Sequence, residues 1–313
     1  MELKEFCVFI ISHNRPHDVY TYETLNKYNY TGDLFIVLDD EDTAIEEYRR
    51  LYHNKILIFN KKNIADLTDE GNNFDNRRTT THARNACFDL AYQRGYEYFL
   101  VLDDDYTVFR YRYINHYITK GYVNNLDKLF QNTLQFYKNT DFLSVAYAQG
   151  GDFIGGESCG MLSNYLLVSR KCMNSFFCSI FRRFWFIGQL NEDVNTYITL
   201  GTRGNKFLTI PFVGLEQKAT QKTNGGMTDA YLKYGTYVKS FTTVMMQPSS
   251  ISVGMMGFTN NRLHHRTNWK TTIPMIIDEK YKHKTILEGE MNIKRINEAE
   301  EEARHQNISQ DEE

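Results

Sequence analysis

The chain of 313 residues is long enough for one large or two small domains, and its hydrophobic content of 42% is that of a globular protein. No apolar run approaches the length of a membrane span, and Phe6–Ile11, followed closely by His13 and Arg15, is too short for a signal peptide. Five cysteines without a C-x-x-C pair argue against a zinc site and for reduced thiols in a cytoplasmic protein.

In chain order, Phe6–Ile11 reads as a strand, and Pro16 of Ser12-His-Asn-Arg-Pro16 starts a turn into a helix through Leu25. A second strand, Leu34–Leu38, runs into Asp39-Asp-Glu-Asp42. Thr43, with Glu46 three residues on, reads as a capping box for a helix to about Tyr52. Ile56–Phe59 is a third strand, and the polar stretch Asn60–Arg78 reads as loop. Thr81 caps a helix with Ala83, Ala86, Cys87, Leu90 and Ala91 on one face, and Gly95 ends it. The strand Tyr98–Leu102 follows. This alternation predicts an α/β layer fold with a mainly parallel central sheet. Neither G-x-G-x-x-G nor G-x-x-x-x-G-K-[ST] follows the first strand, which argues against an NAD enzyme and a P-loop NTPase. The second half is less regular. It holds a strand Phe142–Ala146, a glycine-rich turn Gly150–Gly156, a strand Tyr165–Val168, the aromatic segment Phe176–Ile187, and a helix after Asn191-Glu-Asp-Val194 that ends near Gly201.

The strand Tyr98–Leu102 ends in Asp103, Asp104 and Asp105. Strand alternation sends Asp103 and Asp105 to one face and Asp104 to the other. Two carboxylates sharing a face repel unless a cation lies between them. Hard oxygen ligands suit Mg²⁺ or Mn²⁺, which typically bind one or two carboxylates plus substrate phosphates, and open α/β sheets bind ligands beyond the carboxyl ends of their strands. The triplet reads as a metal site for a nucleoside diphosphate, or alternatively as a charged exit from the strand.

The net charge of −3 is unevenly spread. Ser158 to Lys270 holds 13 Lys and Arg against 4 Asp and Glu, whereas Ile286 to Glu313 holds 9 Asp and Glu against 3 Lys and Arg. The cationic stretch suits a polyanionic partner or a solvated surface. Arg182-Arg-Phe-Trp-Phe186 interleaves charge and aromatics, which suits phosphate contact plus base stacking, or simply a core segment. The sparse, charged tail reads as a frayed helix or a disordered end.

Together, Ser12-His-Asn-Arg-Pro16, Leu38-Asp-Asp-Glu-Asp42, His82-Ala-Arg-Asn85 and Leu102-Asp-Asp-Asp-Tyr106 resemble the TET-associated glycosyltransferases, GT-A enzymes mostly of phages that are thought to modify 5-hydroxymethylpyrimidines in DNA. The resemblance covers roughly the first 110 residues well, and beyond them rests on Asn191-Glu-Asp-Val194. It implies a single GT-A domain over 1–285, with a nucleotide-sugar half (1–110), an acceptor half (111–285) and an acidic tail (286–313). It implies a UDP-sugar donor, UDP-glucose first, and Mn²⁺ or Mg²⁺. Asp40 would accept from the uracil N3–H, and Ser12, His13 and Arg15 would touch the base or phosphates. Arg84 would favour the donor's anion from the first turn of its helix, and Asn85 would be a structural hydrogen bonder. Asp103 and Asp105 would hold the metal, with His264 or its neighbour His265 as a late ligand. Asp103 and Asp104 also fall within the donor-binding set. Asp193 would be the base of an inverting transfer, with Glu192 as runner-up, and Asp152 in the glycine-rich turn could hold a sugar hydroxyl. The acceptor would be DNA, in a host cytoplasm if the chain is phage-encoded. A protein or glycan acceptor, or a non-catalytic nucleotide-sugar or DNA binding module, are the competing readings.

Overall fold

The computed structural model describes residues 3–71, 77–114, 117–118, 121–149, 170–173, 175–218, 228–256 and 262–272. All of them fall within one compact unit, Met1–Ile273. The glycine-rich turn with Asp152, the strand expected at Tyr165–Val168 and the acidic tail lie outside the described residues.

The first half follows the expected alternation: β1 (Lys4–Ile11), α1 (Tyr20–Lys27), β2 (Asp33–Asp39), α2 (Ile45–Tyr52), β3 (Ile56–Phe59), α3 (Lys61–Ala65), α4 (Thr81–Arg94) and β4 (Tyr96–Asp103). The rest comprises β5 (Tyr106–Tyr111), the short pair β6 (Tyr113–Ile114) and β7 (Tyr117–Ile118), α5 (Leu126–Lys138), β8 (Ser144–Gln149), β9 (Ser175–Ser179), α6 (Glu192–Thr202), β10 (Phe207–Gln217), α7 (Thr228–Met246), β11 (Ile251–Met256), β12 (Arg262–Thr267) and α8 (Trp269–Thr272). Eight strands form one sheet in the order β3-β2-β1-β4-β9-β8-β10-β5. β3, β2, β1 and β4 run parallel, as do β8 and β10. β9 is inserted antiparallel between β4 and β8, and β5 closes the edge antiparallel to β10.

Alternate residues of each central strand serve two different cores, as the period of two requires. Cys7, Phe9 and Ile11 pack with Ala86, Cys87, Leu90 and Ala91 of α4 and with Val194 and Ile198 of α6. Val8 and Ile10 pack on the opposite side with Val19, Leu25 of α1 and Phe130, Leu134 and Tyr137 of α5. Gly95 ends α4 in the left-handed conformation, φ 77°, where glycine carries no Cβ penalty.

Four local expectations change. Thr81 does not cap α4: it is the first residue of the helix, and its hydroxyl donates to Gly188 O at 2.6 Å. Thr43 does not cap α2: its backbone N–H and hydroxyl both go to Asn14 Oδ1, at 3.0 and 2.8 Å, and Asp42 Oδ1 accepts from Ala44 N instead, at 2.7 Å. The polar stretch after β3 opens with α3, because Asn60 Oδ1 caps Asn63 N at 2.8 Å. The segment Arg182–Phe186 is absorbed by the fold. β9 runs against β4, with Ser175 opposite Leu102 and Ser179 opposite Tyr98, so the chain leaves it at the sheet edge remote from Asp103. There Arg182 donates to the carbonyls of Thr140 (2.6 Å), Phe142 (2.8 Å) and Tyr137 (3.2 Å) just beyond and within the end of α5, and lies 3.9 Å over the Tyr137 ring. Arg183 forks onto Asp89 and lies 4.6 Å from the Trp185 ring. Phe184 and Phe186 are core.

Arg182→Ala therefore tests stability rather than binding. Losing a charged donor to three carbonyls should cost roughly 2–3 kcal/mol, read as a lower urea midpoint at an unchanged slope, with UDP affinity of the folded protein unaltered.

A candidate active site at the carboxyl edge of the sheet

The carboxyl ends of β1, β2, β4, β8 and β10 gather at one edge, and the aspartate triplet sits at its middle. The turn from β4 to β5 is held from outside. Thr21 Oγ1 donates to Asp103 O at 2.6 Å and accepts from Tyr106 N at 2.9 Å, Thr21 N donates to Asp104 O at 3.0 Å, and Lys218 N donates to Asp105 O at 3.1 Å.

Within that turn the three carboxylates part. Asp104 is wholly buried and accepts from Ser12 Oγ at 2.5 Å and Arg15 Nε at 2.7 Å. Tyr48 completes this cluster, its hydroxyl 2.7 Å from Ser12 Oγ and accepting from Arg15 N at 3.1 Å. Burial pushes the Asp104 carboxyl up to about 6 although Arg15 and Ser12 oppose the shift. Asp103 turns to the other face, where Arg84 Nη2 donates to it at 2.8 Å. Burial raises Asp103 as well. Asp105 follows the strand end. Burial, then the charges of Asp103 and Asp104, push it up to about 7, and its buried Oδ1 has no hydrogen-bond partner among the described residues.

A divalent cation fits this donor set. Asp105 offers an oxygen with no other use, Asp103 retains the oxygen that Arg84 does not take, and both carboxyls are held reluctant to ionise together. Among the described residues no three His, Cys, Asp or Glu side chains come together as a metal cluster, so substrate phosphates and water would complete the shell, as Mg²⁺ commonly requires. Among the described residues His264 and His265 are not grouped with these carboxylates. His264 Nε2 stands 3.4 Å from the Lys171 ammonium. His265 beside it is buried, 5% exposed.

The loop after β1 and the end of β2 form the neighbouring wall. His13 Nδ1 donates to Asp39 Oδ2 at 2.8 Å and Lys61 Nζ reaches Asp39 Oδ1 at 3.3 Å. Burial alone would raise Asp39, but these donors outweigh it and hold the carboxyl below its ordinary value. Asp40 is exposed at the strand tip and accepts from Asn60 Nδ2 at 2.6 Å and Lys61 N at 2.9 Å. A carboxylate has about four acceptor positions, so two bonds fix its plane and leave room for another donor.

Arg84, in the first turn of α4, is 1% exposed and acts as an internal counterion rather than a surface anion site. Besides Asp103 it donates from Nε to Glu192 Oε1 at 3.1 Å. Its guanidinium lies 5.0 Å over Phe176 and 5.8 Å over Phe186. Glu192 Oε1 also accepts from Thr80 Oγ1 at 2.5 Å. Asp193, beside it, has only Oδ1 engaged, by Val194 N at 2.8 Å. Burial and Glu192 push Asp193 up to about 6, against Arg84 and Lys171. Asn85 bonds Phe186 twice: its Nδ2 donates to the Phe186 carbonyl at 3.0 Å, and its Oδ1 accepts from the Phe186 N–H at 2.8 Å. Tyr48, Thr21 and Thr80 are site residues that the sequence did not single out. Only the hydroxyl-rich run Thr79–Thr81 before α4 carried any signal of them.

A mixed sheet flanked by helices, with paired carboxylates at its carboxyl edge, is a GT-A architecture. The model of the TET-associated glycosyltransferase family matches residues 6–226, and the chain belongs to that family. No curated protein matches it. Similar solved structures include glucosyl-3-phosphoglycerate synthase from Mycobacterium tuberculosis, in complex with Mg²⁺ and uridine diphosphate, at 8% identity and TM-score 0.45 over 87% of this chain and 89% of that one. S. aureus TarS 1–349 in complex with UDP-GlcNAc overlays at 13% identity and TM-score 0.42, over 73% and 62% of the two chains. Mannosyl-3-phosphoglycerate synthase from Rubrobacter xylanophilus overlays at 8% identity and TM-score 0.42, over 86% and 91%. No helix among the described residues is long and apolar enough to cross a membrane.

The raised carboxyls make stability pH-dependent in a defined direction. Asp104, Asp105 and Asp193 hold their protons to about 6 or 7 when folded and release them near 3.8 when unfolded. The stability tied to those protons is complete below the unfolded value and is lost as pH rises through 6 to 7. Asp39, held low, titrates beneath this window. In the presence of a chelator the urea midpoint should fall between pH 5 and 7.5. Mn²⁺ should restore it at pH 7.5 and do little at pH 5. Asp105→Asn should flatten both effects, and a chelated protein whose midpoint rises across that window would contradict them.

Proposed function

We propose that this enzyme transfers a sugar, glucose first among the candidates, from a UDP-sugar to the hydroxyl of a 5-hydroxymethylpyrimidine in DNA, with inversion and with Mn²⁺ or Mg²⁺ held by Asp103 and Asp105. The observation that carries this reading is the Arg84 bridge, which joins Asp103 on the donor side to Glu192 and so sets Asp193 beside the same edge. When bound, the cation supplies the charge that stabilises a departing diphosphate.

The chain's own residues divide the remaining work. Arg15 and Ser12, fixed by Asp104 and Tyr48, give the donor pocket a rigid floor. Asp40 accepts the uracil N3–H, which selects against bases that lack that donor. Glu192, committed to Arg84 and Thr80, positions the turn. Asp193 Oδ2, free of the Val194 bond, takes the acceptor proton as the hydroxyl attacks. A carboxyl pushed up to about 6 is ionised at neutral pH yet more basic than a solvated one, the compromise that general-base catalysis favours. The family's association with hydroxymethylated DNA and the cationic second half support the acceptor.

The test is mass spectrometry of nucleosides from 5-hydroxymethyl DNA incubated with UDP-sugars, Mn²⁺ and enzyme. A hexose adduct is expected. Adducts on a peptide or glycan but not on DNA would move the acceptor to those classes. Asp105→Ala should abolish transfer, and Asp193→Asn should lower turnover by roughly 10²–10⁴ with UDP affinity nearly unchanged. Wild-type turnover should rise with pH through about 6. Normal turnover in Asp193→Asn would remove the base from that position.

A further inference from the structure

Lys171, Lys239, His264 and His265 gather near Asp193 but take no part in the donor chemistry. β11 and β12 form an antiparallel hairpin with Gly254 opposite His264 and Val253 opposite His265. The hairpin is joined to α7, where Ser240 Oγ donates to Leu263 O at 3.1 Å. α7 is joined in turn to the turn that carries the base. Asn191, in the left-handed conformation with φ 56°, donates from Nδ2 to Lys239 O at 2.6 Å and to Thr243 Oγ1 at 3.0 Å. Lys171 is pinned through its carbonyl, which accepts from Thr209 Oγ1 at 2.9 Å, and its ammonium lies 3.4 Å from His264 Nε2 and acts on the Asp193 carboxylate.

His265 is the telling member. It is 95% buried by its 5% exposure, its ring lies 4.2 Å from that of His264, and neither of its nitrogens has a hydrogen-bond partner among the described residues. In either tautomer the ring carries an N–H, and the charges of Lys171, His264 and Lys239 act on it. A buried donor without an acceptor is costly and calls for a partner. Cations around an unsatisfied N–H complement an anion with exposed oxygens. A phosphodiester offers one negative charge and two such oxygens, and one flanks every nucleotide that could bring a hydroxyl to Asp193.

We propose that Lys171, Lys239, His264 and His265 form a subsite for a backbone phosphodiester of the acceptor strand, set beside the base. This rests on the DNA-acceptor reading above. Arg182 and Arg183, the more conspicuous basic pair, hold the fold together, so the subsite falls to these four instead.

The test uses the full chain, a fluorescein-labelled single-stranded oligothymidylate and anisotropy at several salt concentrations, without donor. Lys171→Met with Lys239→Met keeps the apolar stems and removes both charges. Affinity should fall at least tenfold, and the slope of log K against log salt should flatten by about 0.7, the contribution of one phosphate on a single strand. On an oligomer of neutral methylphosphonate linkages, wild type and variant should bind alike. Unchanged affinity of the double variant for the phosphodiester oligomer would overturn the subsite, as would equal binding of both oligomers by wild type, a comparison that needs no variant to fold. UDP binding in Mn²⁺ and transfer to hydroxymethylated DNA are measured alongside. Transfer that persists with no oligomer effect in the variant removes the subsite and leaves the proposed function standing, whereas wild type that binds UDP but neither binds oligomer nor transfers to DNA removes both.

Discussion

The buried guanidinium of Arg84 is the interaction on which the rest of the site depends. Burying a charge costs several kcal/mol unless it is paired and bonded on all sides. Arg84 meets most of that demand with two carboxylates from segments 89 residues apart, Asp103 and Glu192, and with the faces of Phe176 and Phe186, while its Nη1 has no hydrogen-bond partner among the described residues. The dependence runs both ways. Without Arg84, Asp103 and Glu192 would be two buried carboxylates of like charge, and the turn that bears Asp193 would be driven from β4. Removing the charge therefore unmakes the geometry as well as the local electrostatics.

The chain reaches that arrangement by running back along α4. Arg183 meets Asp89, Phe184 packs on Phe88 with ring centroids 5.3 Å apart, Phe186 takes both bonds of Asn85, and Gly188 O accepts from Thr81 Oγ1 at 2.6 Å. The contacts descend the helix from Asp89 to its N-terminus over nine residues, and the last, Thr80 to Glu192, arrives at the edge where Asp103 lies. His82-Ala-Arg-Asn85 is thus a receptor for the segment that carries Glu192 and Asp193. The tetrapeptide reads as a nucleotide motif in the sequence, but in the fold His82 and Asn85 are structural: His82 is fully buried against Glu70, and Asn85 is buried against Phe186.

Much of the first half was legible because periodicity and punctuation agree there. β1, β2, β3, α4 and β4 fall within about two residues of their sequence-derived limits, since each is a buried parallel strand or an amphipathic helix bounded by Pro, Gly or a hydroxyl. The separation of Asp104 from Asp103 follows from strand alternation alone. α3 and the capping of α2 were not legible, because each depends on which of several adjacent Asx and Thr side chains faces a free N–H. β10 and the helices α5 and α7 lay in the half whose pattern is diluted by aromatics that serve both strand and helix. Tyr48 and Thr21 could not be read as site residues either: they bond across 36 and 82 residues to groups that only the tertiary fold brings near.

The antiparallel strand β9 explains why charge composition misled where position mattered. An all-parallel sheet would deliver every strand's following loop to the active edge, and Arg182-Arg-Phe-Trp-Phe186 would then stand over the acceptor. One reversed strand sends that segment to the opposite edge, where a guanidinium finds the last carbonyls of α5 and satisfies them. The reversal cannot be read from hydrophobic period, because a buried strand has the same pattern in either direction. The positive charge that acts on Asp193 comes instead from Arg84 and from Lys171, just before β9, a residue with no motif around it. A basic residue beside a strand reaches this edge according to which end of the strand it occupies: the reversal of β9 carries Arg182 and Arg183 away from the aspartates and leaves Lys171, before the strand, on their side.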